Sequence, residues 1–290
     1  MRDLFREGLA NGWHHIDAAD LDGHRSLEAD VVIVGSGAGG GVTAEILARA
    51  GLRVILVEEG PLRVTRDFRM REGEAYPDLY QESAARKTAD KAINILQGRC
   101  VGGSTTVNWT SSFRTPPDTL DYWQRTLGLE ALSEAALAPW FAAMEQRLHV
   151  GLWPLEPNAN NGVLARGAAR LGIPTAVIPR NVKMCWNLGY CGMGCPTNAK
   201  QSMLLTTIPA ALERGAMLIS RLRAQTLTSQ GNRIRELHAQ ALGLDGLRPT
   251  GATVTLQARH FVLAGGAINS PALLLRSTLA DPHQQVGRRT

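Results

Sequence analysis

Gly35, Gly37 and Gly40 stand in a G-x-G-x-x-G spacing directly after the apolar run Val31-Val32-Ile33-Val34, and an acid, Glu58, follows 23 positions after Gly35. Residues of these types in this order can hold the diphosphate and ribose of a dinucleotide. Gly35 lets the chain turn sharply, Gly37 lets backbone approach a pyrophosphate, and Gly40 lets helix and strand pack closely. Ser36 and Ala38 belong to the same cradle. The helix N-terminus that follows offers free N–H groups and a partial positive charge to an anion. Glu58 can accept hydrogen bonds from a ribose 2′-OH, which favours FAD or NAD over a 2′-phosphorylated nucleotide. Its neighbour Glu59 is expected to point the other way along a strand.

A strand, a helix and a second strand are needed to position these groups, and residues 31–60, VVIVGSGAGGGVTAEILARAGLRVILVEEG, supply them. The helix carries Ala44 and the apolar pattern Val42, Ile46, Leu47 and Ala50, Gly51 closes it, and a second apolar run ends at Glu58. Residues 60–81, rich in Arg, Pro and Glu, read as a long surface excursion. A helix is expected over 82–97, with Ala85, Ala89, Ala92, Ile93 and Leu96 on one side, followed by the glycine-rich loop GRCVGGSTTVNW. From 118 to 149 the pattern is helical again, with Asp118 and Ser133 as N-caps and a core stripe of Leu137, Trp140, Phe141 and Met144. A helix over 200–214 ends at Gly215, and three β-like runs follow, Met217–Leu227, Arg233–Leu242 and Thr253–Leu263. The last leads through a glycine turn into a short helix. Residues 1–29 read as a polar N-terminal arm packed over the first βαβ unit.

The 290 residues are 44% hydrophobic and 20% charged, ordinary for a soluble globular protein. The 31 Lys and Arg against 26 Asp and Glu give +5, but no basic run is interleaved with aromatics, so nucleic-acid binding is not supported. The N-terminal MRDLFREGLANGWHH lacks the apolar core of a secretory signal. No transmembrane segment is expected, for want of a stretch of about 18 uninterrupted apolar residues. Four cysteines make no disulfide scaffold in a chain of this length, so a reducing cytoplasm is the expected location.

Two further motifs complete the pattern: Gly98-Arg99-Cys100-Val101-Gly102-Gly103-Ser104-Thr105-Thr106-Val107-Asn108 and Gly266-Ala267-Ile268-Asn269-Ser270-Pro271-Ala272-Leu273-Leu274. With them the chain resembles, from Asp30 onward, the glucose-methanol-choline family of flavoprotein oxidoreductases. The resemblance implies an α/β fold: a Rossmann-type FAD-binding domain with a β-meander and an incomplete substrate-side region. It implies an arm over 1–29 and an FAD-binding region over 30–290. Within the latter, the helical and cysteine-loop insertion at 118–200 belongs partly to the substrate side, and the C-terminal substrate and catalytic portion is absent. The implied reaction is oxidation of the CH–OH group of a small-molecule alcohol to a carbonyl, with FAD as hydride acceptor and a possible electron-acceptor partner. Members with covalent flavin carry a His in the first loop. Val107 precedes Asn108 here with no His near, so the FAD is expected to be noncovalent.

Carried over residue by residue, Gly102 and Gly103 let backbone lie against diphosphate and flavin, and Ser104 and Asn108 hydrogen-bond the cofactor. Trp109 stands beside the flavin and Arg99 adds a positive charge. Ala224 presents backbone amide and carbonyl to adenine. Ala264 and Gly265 permit close approach at a strand end. Cys185, Cys191 and Cys195, at x5 and x3 spacing, resemble the cluster ligands of iron-sulfur members that pass electrons to a cytochrome partner. The same segment, followed by Asn198-Ala199-Lys200, also resembles that of long-chain alcohol oxidases, where no cluster is implied; metal-free thiols are the expectation. An inactive FAD-binding remnant is the non-enzyme alternative. The family's catalytic base is a His paired with a second His or Asn beyond the second motif, which places it beyond Thr290. His14, His15, His24, His149, His238, His260 and His283 lie outside any such motif.

Overall fold

The computed structural model describes residues 3–288. The chain divides into two compact units, Met1–Asn108 with Trp186–Thr290, and Trp109–Cys185.

The first unit is built on a seven-stranded sheet. Its strands are β1 (His14–Asp17), β2 (His24–Val34), β3 (Val54–Val57), β6 (Met217–Ser220), β7 (Leu222–Gln230), β8 (Arg233–Leu242) and β9 (Pro249–Leu263), in the order β1-β6-β3-β2-β9-β8-β7. The pairs from β1 to β9 are parallel, and β9, β8 and β7 form the antiparallel meander. Near-continuous apolar runs make the parallel centre: Val31, Val32 and Ile33 pair with Val54, Ile55 and Leu56, and all six are buried. Among the described residues, the sheet is accompanied by α1 (Leu4–Ala10), α2 (Ala38–Arg49), α3 (Glu72–Leu79), α8 (Thr207–Leu212) and α9 (Gly266–Arg276), with a single turn, α4 (Ser104–Val107), in the glycine-rich loop.

Several expectations are corrected here. Of the arm expected over 1–29, the described residues, from 3 onward, are an integral part of the first unit. β1 is an edge strand in register with β6, and the first half of β2 pairs with β9 from His24 onward. The apolar pattern chosen for α2 is not its buried face: Gly40, Gly41, Ala44 and Ala48 are buried and Ile46 is exposed. Small residues sit there because α2 lies close to α8; a Cβ on Gly41 would come within 2.7 Å of Thr207 Oγ1. No helix forms over 82–97. Glu82, Ser83, Ala84 and Lys91 have positive φ, and the segment folds back on itself through Gln81 N–H to Gln97 O (2.9 Å) and Thr88 N–H to Ile93 O (3.0 Å). Ile93 and Leu96 consequently remain exposed. The helix expected from 200 begins only at Thr207, and the run from Met217 is two strands broken at Arg221, which has φ +52°. Arg221 forms a short ion pair with Asp17.

The second unit contains α5 (Pro117–Leu127), α6 (Glu134–Arg147) and α7 (Ala159–Arg170), and a two-stranded pair of β4 (Val150–Leu152) with β5 (Pro179–Asn181). Ser133 caps α6 by accepting from Ala136 N–H at 3.1 Å, as its sequence position suggests. Asp118 does not cap α5: Pro116 holds that place and Pro117 starts the helix, leaving Asp118 in the first turn. The stripe on α6 is not a fully buried core, and Trp140 is exposed. Arg180 stacks over Trp153 at 4.6 Å and donates to Thr110 Oγ1 and the Trp109 carbonyl.

Candidate functional site

The carboxyl ends of β2, β3 and β9 open onto a cavity of about 640 Å³, within the range of small-molecule sites (about 300–1,000 Å³). Two helix N-termini meet it. Gly37 and Ala38 begin α2 and Gly265 and Gly266 begin α9, and no side chain caps either helix. First-turn N–H groups there are available to an anionic ligand.

The turn from β2 into α2 depends on Gly35, with φ +99° and its N–H donating to Val57 O at 2.8 Å; a Cβ would strike the Ala264 carbonyl. Gly40 does not line the cavity but packs under this turn, where a Cβ would meet the Gly35 carbonyl. The second glycine contact joins the loops. Gly103 has φ +54°, and a Cβ there would lie 2.8 Å from the Gly37 Cα. Bare backbone from 37 and 103 therefore forms a continuous cavity wall.

Ser36 holds the wall together. Fully buried, it donates its N–H (3.1 Å) and hydroxyl (2.5 Å) to Glu58 Oε2 and accepts from Gly102 N–H at 2.9 Å. Glu58 Oε1 accepts from Gly60 N–H at 2.9 Å. Burial pushes the Glu58 carboxyl above the usual carboxylate range, and the bonds from Ser36 and Gly60 oppose that only in part. Glu59 does not turn away as expected. The strand pleat stops at Val57, and both acids line the cavity, Glu59 bound to Arg223 Nη2 at 3.0 Å.

A profile of the GMC oxidoreductase family matches residues 76–290, and one of an FAD binding domain matches 30–69. The chain belongs to the GMC oxidoreductase family. It is 37% identical over 262 residues to an uncharacterized GMC-type oxidoreductase of Mycobacterium tuberculosis, covering 89% of this chain and 40% of that protein. It is 30% identical over 279 residues to a long-chain-alcohol oxidase of Arabidopsis thaliana, covering 94% and 37% respectively. The fold resembles that of pyridoxine 4-oxidase from Mesorbium loti, with a TM-score of 0.64, 21% identity, and coverage of 86% of this chain and 51% of that one. The chain thus spans about two fifths of the curated relatives' length.

The residues suggested by the GMC resemblance separate into two groups. Gly35, Ser36, Gly37, Ala38, Glu58, Gly103, Ser104, Ala224, Ala264 and Gly265 line one cavity. Arg99 does not: its guanidinium is buried, donating to Gly246 O at 2.5 Å and standing 3.7 Å from Glu59. Asn108 lies off the cavity wall, its carbonyl accepting from Lys200 Nζ at 2.6 Å. Lys200, buried, also donates to Thr106 O (2.9 Å) and Cys191 O (2.6 Å), which ties the cysteine loop to the end of the glycine-rich loop. Trp109 is exposed and opens the second unit. The positive charge expected from Arg99 comes instead from Arg86, Arg223 and Arg276, none of which belongs to a recognisable motif.

Cys185 falls in the second unit, Cys191 and Cys195 in the first. Among the described residues, no group of three or more His, Cys, Asp or Glu side chains is placed to hold a metal ion. None of the four cysteines is joined in a disulfide. Burial raises the Cys195 thiol's pKa, but hydrogen bonds from the Thr197 hydroxyl and the Lys200, Thr197 and Ala199 backbone outweigh it and leave the thiol below its ordinary range. No histidine among the described residues lines the cavity. None of their helices is long and apolar enough to cross a membrane.

Proposed function

We propose that the cavity holds FAD noncovalently and that the whole enzyme oxidises the CH–OH group of an alcohol to a carbonyl. The observation carrying this reading is the convergence of two uncapped helix N-termini, a buried acid and a bare glycine wall on one cavity. The donor set fits the group. N–H groups of Gly37 and Ala38 suit a diphosphate, Glu58 suits ribose hydroxyls, and the contact of Gly37 with Gly103 leaves room for a flat ligand against backbone. Ala224, Ala264 and Gly265 flank the same space and Ser104 can donate into it. When bound, FAD supplies the hydride acceptor.

The residues of this chain bind and orient. The alcohol proton must pass to a base, worth about 10² to 10⁴ in rate, and no histidine among the described residues lines the cavity; His15 bonds Ser220, His24 bonds Thr253 and His238 bonds Thr255. We therefore assign that base to a histidine pair beyond Thr290; the length that the relatives have in excess of this chain supports it. We assign the helical second unit to the substrate side and Trp109 to the flavin end. The substrate class follows the name of the plant relative, an alcohol, and the electron acceptor is a separate partner or oxygen. We assign the protein to a reducing cytoplasm, which four cysteines in 290 residues without a disulfide framework suit.

Titrating the purified chain with FAD and NAD while following fluorescence quenching tests the reading. FAD is expected to bind and to be released by acid precipitation. Tight NAD binding without FAD binding overturns it, and rapid saturable flavin bleaching by an alcohol would overturn the placement of the base.

A further inference from the structure

The excursion between residues 60 and 97 returns one cation to the cavity wall. The Arg86 side chain is 15% exposed, and acceptors from three segments surround its guanidinium. Nη1 donates to Gln97 Oε1 at 2.8 Å and to Asn269 Oδ1 at 3.3 Å, Nη2 to Gln81 Oε1 at 3.4 Å, and Nε to Glu82 Oε1 at 2.9 Å. A guanidinium has five N–H groups, so one on Nη2 remains for a ligand. Three of the four acceptors are neutral amides. The fourth, Glu82, is 59% exposed, where water screens it. Arg86 thus brings positive charge to the cavity without a buried carboxylate to cancel it. Its neighbours on the wall are differently engaged: Arg223 is paired with Glu59, and Arg276 donates to the Ala224 and Gln225 carbonyls.

The position is as informative as the charge. Gln97, which orients Arg86, also donates to Gly265 O at 3.5 Å, beside the start of α9. The next residue, Gly98, donates to Ser104 Oγ at 2.9 Å, and Ser104 follows the Gly103 that abuts Gly37. Asn269 belongs to the first turn of α9. Arg86 is therefore held where both glycine loops and a helix N-terminus converge, and the fields of helix and guanidinium add there. The amide oxygens fix the planar fork before any ligand arrives, so little side-chain freedom is lost on binding.

We propose that Arg86 is a diphosphate-binding residue of the cofactor site, donating to a non-bridging phosphoryl oxygen of the adenine nucleotide. This rests on the FAD reading given above. The test is calorimetric titration of the full chain, Arg86→Gln and Arg86→Lys with adenosine, ADP and FAD, with the melting temperature of each unliganded protein. Arg86→Gln is expected to weaken ADP and FAD by about 10- to 100-fold while changing adenosine by less than about 2-fold, and Arg86→Lys to recover part of the loss. Wild-type ADP affinity is expected to fall more steeply with salt than that of Arg86→Gln. Unchanged ADP binding in Arg86→Gln overturns the proposal alone. So does an equal loss of adenosine and ADP with a lowered melting temperature, which would mark a scaffold role. Failure of the wild type to bind either ADP or FAD would instead overturn the FAD reading itself.

Discussion

The two units bury their apolar residues very differently. In the first, Val31–Ile33 and Val54–Val57 are each exposed by 4% or less. In the second, neither α6 nor α7 buries a residue fully, and Trp140 and Leu164 are 69% and 74% exposed. A strand flanked by two others has its burial dictated by the ladder on both sides. An amphipathic helix only declares which face wants a partner. The FAD-binding cradle stands on the first kind of element, which is why its geometry is held by bonds of 2.5–3.1 Å among buried groups.

Core truncation should separate the units most strongly. Ile33→Ala is expected to cost about 2–5 kcal/mol in urea unfolding, whereas Leu164→Ala should stay within about 0.5 kcal/mol. Equal losses would break the comparison. Within the first unit, Glu58→Ala should weaken FAD by about 1–3 kcal/mol, measured by titration, because ribose hydroxyls lose a charged acceptor. The pH dependence sharpens this. The folded-state pKa of Glu58 is raised, so its contribution to stability without cofactor is full below the ordinary carboxylate range and is lost as pH rises through the raised value. FAD affinity should climb over the same rise, since the ionised acid is the better acceptor, and Glu58→Ala should flatten the profile. The smallest effect is chemical. At neutral pH iodoacetamide should modify Cys195 well before Cys100, whose thiol is pushed up by complete burial, and peptide mass spectrometry reads the order. Faster labelling of Cys100 would show that the buried loop opens.

How far the sequence revealed these regions depends on the range over which each element is specified. The run into Gly35, the helix to Gly51 and the second run to Glu58 are local, and the structure contains them as β2, α2 and β3. The β-like runs over Arg233–Leu242 and Thr253–Leu263 correspond to β8 and β9, while Met217–Leu227 holds the break between β6 and β7. Spaced alanines imitated a helix over 82–97, but the contacts that decide that segment are made between its ends and with Asn269, 183 positions from Arg86. The same reason hid the cavity's cations. Arg99 sits in a motif and turns inward, while Arg86 reaches the cavity from a segment without one and Arg276 from two residues past the end of the second motif. The link from Ser36 to Glu58 and Gly102 joins residues 22 and 66 positions away, and no spacing rule encodes it.

The pairing of β2 with β9 has a consequence for synthesis. His24 and Thr253 are bonded across 229 positions, and the strand that leads into the nucleotide turn has β9 along its whole length from His24 to Val34. At roughly 5–20 residues per second, a ribosome needs on the order of 10–45 seconds to supply that neighbour. During this interval Val31-Val32-Ile33-Val34 has at most β3 beside it and presents an open apolar edge. The nascent chain therefore holds this apolar strand early and its cover late, which makes the nucleotide site one of the last parts of the first unit to close.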